Sequence, residues 1–227
     1  HKSLFNDNIG PKTGEMGNLM WYDKSEGRFF NETIARLKPY LQEVDFRGDI
    51  DINCFIQEDK VYPIEVTARF GCPITHSQSV MHLSPWFEFL GAVADGQSYE
   101  LQHRDGYCIA LTLALPPFPY EGSLDKEYSS EGLELFFRDQ LSDEDWNNIH
   151  FEAIEKRKDG IMERYFVTHS IGYTIFVTGY GKTAEEAQRA VYTLAKKVVI
   201  PKVFYRTDIG DAFVKKDKNL LEKWGWI

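Results

Sequence analysis

DIDINCFIQEDKVYPIEVTARFGCP, Asp49 to Pro73, carries the decisive pattern. In its first eight residues Ile50, Ile52, Cys54 and Ile56 alternate with Asp49, Asp51, Asn53 and Phe55, the period of a half-buried strand. Glu58 and Asp59 make a polar turn, and in VYPIEVT Ile64 and Val66 alternate with Glu65 and Thr67. Pro63 has no N–H to give to a ladder, so it marks an edge or a bulge. The two strands read as an antiparallel hairpin with one apolar and one polar face. If the turn holds an odd number of residues, Asn53 lies opposite Glu65 and Asp51 opposite Thr67. That gathers two carboxylates, an amide and a hydroxyl. Magnesium takes oxygen ligands, usually one or two carboxylates plus phosphate oxygens of a nucleotide. Arg69, four residues after Glu65, has the fork to grip a phosphate or a carboxylate. A solvated polar sheet face satisfies the same spacing.

Before the hairpin, Ile34, Leu37, Leu41 and Val44 recur at helical spacing behind a candidate N-cap at Asn31, with Pro39 set to kink or shorten the helix. After it, Ser84 and Pro85 read as N-cap and first residue of a helix through Phe87, Leu90 and Ala94, stopped at Asp95-Gly96. YCIALTLALPPFP, from Tyr107, is an apolar strand ended by prolines, and the acidic stretch from Leu124 to Lys158 reads as short helices and loops. GYTIFVTGY, from Gly172, is a strand. It feeds a helix with a Thr183–Glu186 capping box and a stripe at Ala187, Val191, Leu194 and Val198, ended by Pro201.

The 227 residues suffice for one large domain or two small ones, and 43% hydrophobic with 27% charged residues is a globular composition. With 26 Lys and Arg against 35 Asp and Glu, the net charge is −9. That opposes a broad nucleic-acid surface while leaving room for a local phosphate pocket. No apolar run approaches the ~20 residues of a membrane span. Cys54, Cys72 and Cys108 form no CxxC pair and suggest a reduced, cytoplasmic setting. The chain opens on His1 rather than Met, and its first residues read as the interior of a longer protein.

Two short motifs mislead. GKT at 181–183 has the end of a phosphate-binding Walker loop, but Phe176 stands where its first glycine is required, so a turn into a capped helix is the better reading. Cys72, His76 and His82 invite a zinc assignment. Pro73 argues for a loop there and no second ligand pair completes the set, so packing is favoured.

GPKTGEMG (Gly10–Gly17), preceded by His1-Lys2, resembles the HKR…GPNTGGMG segment of the phosphoribosylamine–glycine ligases. VYPIEVTARFGCP is similar to their KVIEFNCRFGDP, and RTDIG (Arg206–Gly210) to their RKDIG tail. The resemblance implies an α+β chain: the second half of an ATP-grasp domain, an antiparallel sheet with helices, over residues 1–98. A small β-rich C-terminal domain with a helix would follow over 99–227. It implies ATP and magnesium, or manganese, as cofactors and small-molecule partners: ATP, a carboxylate such as glycine and a phosphorylated amine. Neither nucleic acid nor membrane is expected. An N-terminal half of the same polypeptide would be missing, leaving this chain alone inactive. Residue by residue, Glu65 matches the metal-binding glutamate, and Thr67 stands where the family has a metal-binding asparagine. Asn53 lies where other ATP-grasp enzymes often place a second metal carboxylate. Arg69 matches the arginine of CRFGDP, suited to the transferring phosphoryl group. Lys12, Thr13, Gly14 and Gly17 match the glycine-rich, phosphate-approaching loop, in which Glu15 replaces a glycine. Cys72, Ile74 and His76 stand where the family has aspartate, glutamate and glutamine. These departures keep two alternatives open: a ligase for other substrates, and a non-catalytic remnant serving binding or assembly.

Overall fold

A computed structural model describes residues 1–23, 27–120, 128–169 and 172–227. Strands in chain order are β1 (Gly17–Met20), β2 (Asp51–Gln57), β3 (Lys60–Thr67), β4 (Tyr107–Leu113), β5 (Glu134–Phe137), β6 (Ile149–Phe151), β7 (Ile154–Asp159), β8 (Met162–Val167), β9 (Ile175–Gly181) and β10 (Val198–Val199). The α-helices are α1 (Arg28–Glu32), α2 (Ile34–Glu43), α3 (Ile74–Met81), α4 (Trp86–Asp95), α5 (Asp143–Asn147), α6 (Ala184–Ala195) and α7 (Lys218–Lys223).

The chain forms two compact units: residues 1–20, 72–80 and 106–210, and residues 21–71, 81–105 and 211–227. These units interleave along the chain. The reason is visible in one pairing. β1 is hydrogen-bonded to β4, Gly17 opposite Leu111 and Met20 opposite Cys108, so the first 20 residues belong with the strands that follow residue 106.

The first unit holds two four-stranded antiparallel sheets, ordered β1-β4-β9-β6 and β10-β5-β8-β7. Ile109, Leu111 and Leu113 of β4, Ile175 and Val177 of β9, and Ala187, Val191 and Leu194 of α6 form its buried core. The Thr183–Glu186 capping box is present, with Glu186 N–H donating to Thr183 Oγ1 at 3.2 Å and Thr183 N–H to Glu186 Oε2 at 3.2 Å. α6 sits so close to β9 that a Cβ on Gly179 would fall 2.3 Å from Val191 N, and one on Gly181 2.4 Å from Ala187 N. Gly181 of the GKT triplet therefore serves helix packing. Val198, read as the end of the helical stripe, lies instead on β10. The acidic stretch carries three strands that the reading of helices and loops leaves out: β5, β6 and β7 lie in it with one short helix, while residues 124–127 lie outside the described residues. β7 is a charged edge strand whose Lys156 pairs with Glu163 of β8 at 2.6 Å, a cross-strand ion pair that hides its strand character from a hydropathy reading.

The second unit holds the β2–β3 hairpin with α1, α2, α4 and α7. The first helix begins earlier than expected, at Arg28, and breaks at Thr33 (φ −123°, ψ −92°), so Asn31 is inside α1 rather than capping. Pro39 lies within α2 without ending it. Pro85, rather than Ser84, precedes α4; the Ser84 hydroxyl accepts from Gln102 N–H at 2.8 Å, and Gly96 closes the helix in the left-handed conformation. The hairpin turn is pinned from outside. Arg28 donates to Asp59 O (2.7 Å) and lies over the Trp226 ring (3.9 Å), and Trp226 Nε1 donates to Glu58 O (2.6 Å).

Candidate functional site

The hairpin turn has two residues, Glu58 and Asp59, which fixes Gln57 opposite Lys60, Phe55 opposite Tyr62 and Cys54 opposite Pro63. Continued unbroken, that register would set Glu65 opposite Ile52, on the apolar face. The ladder slips by one residue after Cys54, and Ile64 is left as a bulge beside Pro63. Beyond the slip Asn53 faces Glu65, Ile52 faces Val66 and Asp51 faces Thr67. The expected pairing is thus reached by an even turn plus a bulge, not by an odd turn. Because paired residues share a face, Asp51, Asn53, Glu65 and Thr67 gather on one side, with exposed Phe55 and Tyr62 farther along it.

Asn53 Nδ2 donates to Glu65 Oε2 at a long 3.4 Å, and Thr67 Oγ1 is buried without a hydrogen-bond partner. Burial pushes the Asp49 carboxyl up, Asp51 adds to the push, and Arg69 opposes it. Arg69 itself is exposed, its Nη1 donating to Phe70 O at 3.3 Å. Two carboxylates, an amide oxygen and an unsatisfied hydroxyl are hard oxygen donors, so the residues of this face fit magnesium. Among the described residues no group of three or more His, Cys, Asp or Glu is set to hold a metal. The protein's share of coordination would accordingly be small.

The same unit carries an aromatic cluster that periodicity does not show. The Tyr22 hydroxyl bonds to His82 Nε2, Tyr22 stacks on His103 at 4.2 Å, and His82 stacks on Trp86 at 4.2 Å. Burial, and then Asp49, push the Tyr22 phenol up, while burial and His103 hold His82 down. His82 therefore belongs to this stack. Cys72 precedes α3 and is exposed, and among the described residues Cys72, His76 and His82 are not gathered into a metal-holding group.

In the first unit the glycine-rich segment is held by its own neighbours. Lys12 Nζ donates to Ser3 Oγ (2.9 Å), and Thr13 donates through N–H (2.7 Å) and hydroxyl (3.0 Å) to Lys2 O. Glu15 N–H donates to the Tyr173 hydroxyl (2.8 Å). A Cβ on Gly17 would fall 2.8 Å from Ala110 O, so packing against backbone requires that glycine, while one on Gly14 would fall 2.0 Å from the Tyr173 hydroxyl and would have to displace that side chain. Burial pushes up the carboxyl of Glu15, the residue that replaces a family glycine.

His76, on α3, stacks on His150 at 4.4 Å and lies 3.4 Å from Glu152 Oε1. Thr178 Oγ1 gives its single proton to Asn148 Oδ1 (2.9 Å), so at 3.1 Å His150 Nε2 must be the donor to Thr178. Burial, with the neighbouring His76, lowers His150 to about 4. An unfolded histidine titrates near 6.5, so the stability held above that value is lost as pH falls from ~6.5 toward ~4. Chemical denaturation at pH 7.5 and 4.5 should show a loss of about 2–3 kcal/mol assignable to this site. His150→Gln should flatten that part of the slope; an unchanged slope in the variant would remove His150 as its origin.

The mixed α/β architecture with antiparallel sheets recurs among solved structures. It superposes on the crystal structure of phosphoribosylamine–glycine ligase from Thermotoga maritima with a TM-score of 0.70 at 23% identity, covering 92% of this chain and 49% of that one. Over 216 residues the chain is 32% identical to the phosphoribosylamine–glycine ligase of Halalkalibacterium halodurans, covering 92% of this chain and 47% of that protein. Over 220 residues it is 27% identical to the ligase of the same name from Clostridium acetobutylicum, covering 92% and 48%. The chain is similar to the phosphoribosylamine–glycine ligases, divergently so, and spans about half the length of the curated relatives it matches. No protein-family model matches it. No helix among the described residues is long and apolar enough to cross a membrane.

Proposed function

We propose that the whole protein is a cytoplasmic, ATP-dependent carboxylate–amine ligase of purine biosynthesis, joining glycine to 5-phosphoribosylamine. The observation that carries the reading is the bulged register that turns Glu65 onto the face of Asp51, Asn53 and Thr67. On sequence likeness we assign residues 1–98 to the second ATP-grasp half and 99–227 to the β-rich domain, a division different from that of the compact units. In the reaction, a carboxylate oxygen of glycine attacks the γ-phosphorus of ATP, giving an acyl phosphate and ADP. The amine then attacks the acyl carbon, phosphate leaves, and the amide nitrogen loses a proton. Glu65, with Asn53 and the Thr67 hydroxyl, would hold magnesium, or manganese; the ion supplies charge neutralisation of the phosphate oxygens. Arg69 would place its guanidinium on the transferring phosphoryl group. Phe55 and Tyr62 offer a stacking surface on the same face. Thr13, Gly14 and Gly17 are assigned to phosphate binding on sequence likeness, and Lys12, which stands at the motif's asparagine, is assigned with them for its exposed ammonium; their observed contacts are those of a well-packed loop.

A ligase for a different carboxylate or amine is the second reading. It is favoured by His76, which replaces a family glutamine and is committed to His150 and Glu152. The test is glycine- and 5-phosphoribosylamine-dependent release of ADP and phosphate by the whole protein with magnesium. Release that needs other substrates selects the second reading, and absence of any magnesium-dependent ATP hydrolysis leaves a binding or assembly role. In an active protein, Arg69→Ala should lower kcat about 10- to 100-fold while KM for ATP changes little, as steady-state kinetics would read. Unchanged kcat would return Arg69 to an ordinary surface position.

A further inference from the structure

Arg206 of RTDIG is, among the described residues, the largest side chain to be fully buried, at 1% exposure. Four of its five N–H donors are engaged: Nε and Nη2 donate to the two Asp208 carboxylate oxygens (2.8 and 2.7 Å), and Nη1 donates to Ser3 O (3.0 Å) and Asn8 Oδ1 (3.1 Å). Neighbouring bonds join the same two segments. Asp7 N–H donates to Asp208 Oδ2 (3.0 Å), Asn6 Nδ2 to Thr207 Oγ1 (2.7 Å) and Thr207 N–H to Asn6 Oδ1 (3.0 Å). RTDIG is itself anchored to α6, Gln188 Nε2 donating to Ile209 O (3.0 Å) and Ile209 N–H to the Tyr192 hydroxyl (2.9 Å).

Ser3 is where this frame meets the glycine-rich loop. It is 1% exposed, its carbonyl is taken by Arg206, and its hydroxyl accepts the Lys12 ammonium at 2.9 Å. A lone lysine side chain on an exposed loop samples many rotamers, and ordering it costs conformational entropy. Here the cost is met in advance by a hydroxyl that is itself immobile. Lys12 is otherwise exposed, and no described carboxylate pairs with it, so its charge is oriented without being neutralised.

We propose that Arg206, Asp208 and Ser3 are positioning residues that hold the Lys12 ammonium in place for a phosphate-bearing ligand. This rests on the assignment of Lys12 to phosphate binding made above. Rigid frame and unpaired charge together lower the cost of ordering the cation when the anion arrives.

The test is calorimetric titration of the whole protein with inorganic pyrophosphate, with melting temperatures measured in parallel. Lys12→Gln should weaken binding at least tenfold. Ser3→Ala leaves the backbone carbonyl for Arg206 and removes only the seat of the ammonium; it should weaken binding about fivefold with the melting temperature unchanged. Arg206→Lys, where it folds, should weaken binding to a similar extent. Pyrophosphate binding lost in Lys12→Gln but untouched in Ser3→Ala overturns the positioning role and leaves the loop assignment standing. Binding that is indifferent to Lys12, or absent from the unmodified protein, overturns the loop assignment and the positioning role with it.

Discussion

Glu65→Gln should lower kcat for ATP-dependent ligation about a thousandfold and shift the magnesium requirement to higher concentration. The substitution keeps the side chain's shape and its reach to Asn53 while removing the only charge at the centre of the polar face. The amide of Asn53 and the hydroxyl of Thr67 are weak donors for a small hard cation, so they cannot compensate. Asp51, opposite Thr67, is the one other carboxylate on that face of the hairpin, and Asp51→Asn should show a smaller effect in the same direction. Magnesium titration of activity at saturating ATP separates the two variants. A Glu65→Gln protein with the original magnesium dependence would mean that the face is merely solvated.

The largest effect on stability is expected at Arg206. Arg206→Met leaves the Asp208 carboxylate, Ser3 O and Asn8 Oδ1 without this donor; with Arg206 fully buried but Asp208 still 20% exposed, breaking the pair should cost about 3 kcal/mol, the lower end for a buried pair. Burial alone would push the Asp208 carboxyl up; the Arg206 hydrogen bonds win and hold it below its ordinary range. Adding Asp208→Asn to Arg206→Met should recover part of the loss, because the stranded charge is then gone. Urea denaturation of the single and double variants reads the coupling directly. Strict additivity would show that the two side chains do not act as a pair.

What the sequence made legible were features set by neighbours a few positions apart. The alternation of Ile52, Cys54 and Ile56 with Asp51, Asn53 and Phe55 gave β2, and Thr183 with Glu186 gave the start of α6, because strand period and capping are local. The facing of Asn53 with Glu65 was anticipated, but for a different cause: a one-residue slip next to Pro63 cannot be told from a longer turn by spacing. β5 and β7 escaped because their exposed faces carry Glu, Lys and Arg that cross-strand partners satisfy, and β6 because three residues are too few to show a period. The Arg28 and Trp226 clamp on the hairpin turn, the His76–His150 stack and the Arg206 frame escaped for another reason. Each joins residues far apart in sequence, and an isolated arginine or histidine carries no sign of its partner. The motif likeness at RTDIG marked the right residues without saying what they hold.

The interleaving of the two units has a practical meaning for how this protein can be cut. The polypeptide passes from one unit to the other five times, after residues 20, 71, 80, 105 and 210. No contiguous segment contains either unit, so expressing residues 1–98 or 99–227 separately would remove strands and helices from both. A protease that nicks one connection leaves four covalent ties in place, and the two products should stay together through size-exclusion chromatography in the absence of denaturant. A protein wired in this way resists being shuffled by the simple fusion and fission of end-to-end modules.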